Sequence, residues 1–253
     1  NGGADETGKS ADAGAEQYLW SQLVSGETLT SEIKRVVNGL GPALSSPSRF
    51  RNGGHLDCRR DFSLLAVLVA VVGQFDDDVR WSREAPLLRD QLMQAAANCK
   101  AASDQSFAAA RRAKDNLDDM LRGQPLNTAQ FEEVEEGWEA EDWRLLAERP
   151  LLMERMEAAL DVRIADALAS ERSLRQAAED IRQEAEILRL LSEVVCRPDY
   201  DFWDDGTYVE LAQRVGEAAG QLAAAVDDGD YAAARRAVVG ATQACAECHE
   251  GYR

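Results

Sequence analysis

Asp227-Asp228-Gly229-Asp230-Tyr231-Ala232-Ala233-Ala234-Arg235-Arg236-Ala237 sets a turn and a helix start side by side. Gly229 suits the turn, Asp230 is placed to cap the free amides beyond it, and the alanine-rich run predicts a helix over residues 231–249. Much the same string occurs earlier, as Phe107-Ala108-Ala109-Ala110-Arg111-Arg112-Ala113, at an offset of 231 − 107 = 124. Val71-Val72 precedes Val194-Val195 by 194 − 71 = 123, and Leu88, Leu92 and Ala96 precede Leu211, Val215 and Ala219 by the same 123. Ordered matches across three helical patterns predict an internal duplication.

The remaining chain fits that plan. Leu29, Ile33, Val36, Val37 and Leu40 recur at helical spacing until Gly41-Pro42. A turn-rich loop is expected over 45–55, then an apolar segment over 62–72 whose length alone does not separate strand from helix. Helices over 83–101 and 107–121 follow, the last ended by Gly123-Gln124-Pro125. In the second half Pro150 suits a first helical position ahead of Met153, Met156, Leu160, Ile164 and Leu168. Ser173 with Gln176, and Thr207 with Glu210, read as capping boxes that open two more helices before 231–249. The expectation is an all-α protein of two tandem antiparallel four-helix bundles. Residues 1–16 form a disordered tether, 17–125 the first bundle, 126–148 an acidic helical linker and 149–253 the second bundle.

Charge narrows the function. With 46 acidic against 28 basic residues the net charge is −18, which argues against nucleic acid and anionic lipid as partners. The longest apolar run, residues 64–72, is far short of the roughly 20 residues that span a bilayer.

The helix over 231–249 ends in chemistry. Cys245-Ala246-Glu247-Cys248-His249 has the spacing at which haem is attached covalently, each thiol adding to one vinyl group while the histidine binds iron. On a helix all three side chains fall on neighbouring faces. Zinc needs two further Cys or His ligands and the chain has one other histidine, His55; a redox dithiol belongs after a strand, and no strand pattern lies nearby. At the 124 offset the motif positions meet Leu121, Gln124 and Pro125, so one haem c per chain is expected, in the second bundle, with the first a degenerate copy serving packing, docking or dimerisation. Such attachment takes place outside the bacterial cytoplasm. The polar opening from Asn1 is accordingly expected to be a tether left after an export leader is removed, and the protein to be periplasmic or otherwise exported. Of the other cysteines, Cys58, Cys99 and Cys196, at most one pair can bridge, and free buried thiols are the preferred reading.

The C-terminal region resembles the cytochrome c′ family, the class II c-type cytochromes. The resemblance is carried by the motif, by Tyr252-Arg253 after it and by Gly229-Asp230 before the last helix. It implies an antiparallel four-helix bundle with His249 as proximal ligand and Arg253 beside the cofactor. Arg149-Pro150-Leu151-Leu152-Met153 resembles the family's first helix, which implies that Arg149 pairs with a haem propionate and that Met153 covers or binds the iron. Met153 as a ligand would suit electron transfer with a redox partner, which on charge grounds would present a basic docking surface; an open iron would suit NO or CO. A third reading is a non-catalytic interaction module, with a homodimer among its forms. Neither an enzyme nor a peroxidase is expected, since no distal His with a supporting Arg can be assigned, and His55 is read as a loop residue.

Overall fold

Short polar side chains set several of the helix starts. The computed structural model describes residues 19–124 and 143–252. A 3-10 turn, Trp20–Gln22, leads to α1 (Gly26–Ala43), whose first turn is capped by the Ser25 hydroxyl accepting from the Thr28 amide. A short α2 (Pro47–Arg49) and a π-turn (Phe50–Gly54) run into α3 (His55–Gly73). α4 (Ala85–Asn98) and α5 (Asp104–Leu121), the latter capped by Ser103, complete the first half. The second half contains α6 (Trp143–Leu146), α7 (Arg149–Ala158) continuing through a π segment (Ala159–Ile164) into α8 (Ala165–Ala167), then α9 (Glu171–Gln176), α10 (Ala178–Val194), α11 (Gly206–Asp227) and α12 (Tyr231–Gly251). The described residues contain no strand, and the fold is all-α.

Three local expectations change. The loop expected over 45–55 is largely helical because Phe50 is fully buried, edge-on to Phe107 at 5.6 Å. Gly54 allows this close turn, since a Cβ there would stand 2.9 Å from the Ala43 and Arg49 carbonyl oxygens. The caps assigned to Ser173 and Thr207 belong instead to Ser170, which accepts from the Ser173 amide, and to Asp205, which accepts from the Thr207 and Tyr208 amides. A carboxylate taking two amides at a helix N-terminus prevails over a hydroxyl two residues later. Asp230 caps α12 as expected, accepting from the Ala233 amide at 2.8 Å. The tether 1–16 and residues 126–142 of the linker, Trp138 among them, lie outside the described residues.

The buried faces repeat at the 123 offset. Leu29, Ile33 and Val37 on α1 correspond to Leu152, Met156 and Leu160; Leu65, Leu68 and Val71 on α3 correspond to Leu188, Leu191 and Val194 on α10; all are buried. The two halves share one continuous core. Where they meet, contacting residues are themselves one offset apart: the Trp20 and Trp143 rings lie 5.7 Å from each other (143 − 20 = 123). Likewise Arg155 donates to Glu32 at 3.0 and 3.1 Å (155 − 32 = 123).

The second of those contacts is buried and charged. Arg155 and Glu32 are each 5% exposed, Arg155 also lies 2.8 Å from Glu184, and Arg35 donates to Glu32 at 2.5 and 2.6 Å. Arg163 closes the network on Glu184. Burial pushes the Glu32 pKa up, but its hydrogen bond to Arg35 and the Arg155 and Arg35 charges outweigh that, leaving it lowered to about 2.

Candidate haem-attachment site

α12 buries a narrow stripe of small side chains, Ala234, Ala237, Ala241 and Ala244, ending in Cys248. Residues three and four apart share that face, and their small size lets α12 lie along α11 over much of its length. Cys248 is 8% exposed and packs with Tyr208 and Leu211. Cys245, one turn earlier, is half-buried against the main core, and His249 beside Cys248 is exposed on the flank.

One hydrogen bond and two electrostatic influences, in order along the chain, relate that flank to the helix beginning at Arg149. Tyr231 donates to the Leu168 carbonyl at 2.9 Å, Asp161 acts electrostatically on Cys245 and Arg149 on Cys248. α12 and the run from α7 to α8 are therefore antiparallel, with the motif opposite the start of α7. Burial, then Cys248 and Asp161, push the Cys245 thiol up to about 11. Burial also raises Cys248, opposed by the Arg149 charge. Both are protonated thiols at neutral pH.

Arg149 stands at the start of α7, its side chain mostly buried. Its guanidinium carbon lies 5.1 Å from the Phe202 ring centroid and 5.8 Å from that of Tyr208, and Nη2 is 3.9 Å from Asp201. Nη1 is buried with no hydrogen-bond partner, while the rest of the guanidinium is turned to the Tyr208 hydroxyl and Asp201. An orphaned guanidinium N–H is costly unless an acceptor arrives, and a carboxylate such as a haem propionate is the acceptor whose charge and fork geometry suit it. Met153, one turn further along α7, is half-buried against the main core. The residues present thus fit a haem: two thiols and an imidazole on α12, a cation wanting a carboxylate and a thioether on α7. Arg253 lies outside the described residues.

An aromatic cluster around Tyr252 was not foreseen. Phe202, Tyr208 and Tyr252 form an aromatic trio with centroids 5.1 to 5.9 Å apart, and Tyr252 donates to Asp205 at 3.0 Å. The loop that delivers Phe202 is fixed by Tyr200, buried and donating to the Trp143 and Ala147 carbonyls, with Asp199 and Phe202 at φ 76° and 69°. Left-handed backbone at Phe202 has no sequence signal. Cys196 packs beside Cys248, its thiol donating to the Ser192 carbonyl at 3.4 Å, and burial pushes it up to about 12.

Other features lie elsewhere. His55 sits at the start of α3, its Nδ1 3.1 Å from the Phe50 carbonyl. A cavity of about 490 Å³ between α1 and α10 is walled by charged residues including Glu32, Arg35, Asp180 and Glu184 and contains none of the motif residues. Among the described residues no cluster of His, Cys, Asp or Glu is arranged to hold a metal ion by itself, and no helix is long and apolar enough to cross a membrane.

Residues 153–253 match the family model described as Cytochrome C′. No curated protein and no solved structure matches the chain.

Proposed function

The C-terminal part of this chain, residues 153–253, belongs to the cytochrome c′ family of haem proteins, and on that premise we propose a periplasmic or otherwise exported electron carrier with one covalent haem c. Cys245 and Cys248 would hold the haem through thioether links, His249 and Met153 would bind its iron, and Arg149 would pair with a propionate. When bound, the haem supplies an iron that takes up and releases one electron. The chain's own residues hold and tune it. α12 fixes both thiols and the imidazole on one rigid element, Arg149 offers a preformed positive charge, and the Phe202, Tyr208 and Tyr252 rings shield that end from water. The net charge of −18 suits a redox partner with a basic surface.

The unpartnered Nη1 of Arg149, held opposite Cys248, is the observation that carries this reading. Residues 17–125 are read as a degenerate copy of the haem half, supported by the repeated buried faces and by the Trp20/Trp143 and Glu32/Arg155 pairs.

Absorption spectra of the haem-loaded chain, oxidised, reduced and reduced with CO, test the reading. Low-spin bands unmoved by CO, turned high-spin by Met153→Ala, are expected. A high-spin spectrum that shifts at once with CO would exclude Met153 as ligand. Gas binding would then replace electron transfer, a reading that the packing of Met153 against the main core favours.

A further inference from the structure

Two cysteines in the first half remain without a role in haem attachment. Cys58, in the first turn of α3, and Cys99, at the end of α4, are both fully buried. Both are free thiols in this structure, close enough for each to act on the other, on helices packed side by side over much of their length. At the 123 offset the same places hold Ile181 and Leu222, on α10 and α11 (181 − 58 = 123; 222 − 99 = 123), each 1% exposed. Two large aliphatic side chains in one half are therefore matched by two small sulfur-bearing ones in the other. Such an exchange removes apolar volume from a close-packed site, which destabilises it unless something else joins the helices.

We propose that Cys58 and Cys99 are oxidised to a disulfide in the mature protein, tying α3 to α4 in the half that has no haem. The proposal rests on the export proposed above, because disulfides persist in oxidising compartments. The oxidant is the reactive disulfide of an exported thiol oxidase. One cysteine thiolate attacks it to give a mixed disulfide, and the second displaces the oxidase sulfur. Two electrons and two protons leave the pair, and the oxidase ends as a dithiol. Full burial means that the bridge forms before the α3–α4 contact closes and is shielded from reductants afterwards. Cys196 is not a partner, since it packs with Cys248 in the second half.

The test is a disulfide map of the full chain recovered from the exported compartment, unfolded in iodoacetamide without reductant. The expected result is a joined Cys58–Cys99 peptide pair, two hydrogens lighter than its separate parts, with Cys196 alkylated. In the Cys58→Ser variant Cys99 should become alkylated as well. Alkylation of both Cys58 and Cys99 in the unaltered chain, or either one joined to Cys196, would overturn the proposal. Haem attachment is read in the same digest on the peptide carrying Cys245, Cys248 and His249, so failure of the functional reading shows separately.

Discussion

α5 and α12 begin alike and end differently. Counting from Phe107 and Tyr231, Ala110 and Ala113 take the places of Ala234 and Ala237, and all four are buried. One turn later Leu117 and Met120 stand where α12 has Ala241 and Ala244. With large residues inward, α5 meets α4 only in part and also touches α1, where Arg111 donates to the Leu44 carbonyl at 3.1 Å. With alanines inward, α12 settles along α11, Cys245 lies half-buried against the main core and His249 is exposed on the flank. A four-helix layer can be closed by its own large side chains, as at α5, or kept narrow by alanines, as at α12.

The largest effect should come from breaking the join that both halves share. Arg155→Ala leaves Glu32 and Glu184 buried without their common cation, and urea denaturation should show a loss of about 3–5 kcal/mol. Next, Leu117→Ala should cost the first half about 2–5 kcal/mol. The reverse change, Ala241→Leu, should cost about 1–3 kcal/mol by forcing α12 from α11. Equal tolerance of leucine at both positions would erase the contrast drawn between the helices.

Acid should weaken the same join. Glu32 is depressed from its ordinary 4.5 to about 2, so its contribution is complete above 4.5 and is lost as pH falls toward 2. Unfolding midpoints taken from about pH 5 to about pH 3 should fall for the native chain and fall less steeply for Glu32→Gln. The smallest effect is at a cap: Asp230→Ala should cost about 1 kcal/mol in the same assay.

Much of the helix plan was legible because periodicity and caps are local. Asp230 capped the helix it was expected to cap, while Ser173 and Thr207 lost to Ser170 and Asp205, which sit upstream and reach the same amides. The placing of Cys245, Cys248 and His249 together on the last helix was legible because their spacing is local to α12. The Phe202, Tyr208 and Tyr252 cluster was not, since it depends on a loop with two residues at positive φ anchored through Tyr200 to distant carbonyls. The Glu32–Arg155 pair could have been found from the repeat, by asking which residues an offset of 123 sets against their own equivalents.

The most direct test of the account is the haem content and attachment site of the full chain matured with haem-attachment machinery. One haem per chain is expected, on the peptide containing Cys245, Cys248 and His249, and none after Cys245→Ala with Cys248→Ala. Absence of covalent haem from the native chain, or haem retained covalently by that double variant, would contradict it.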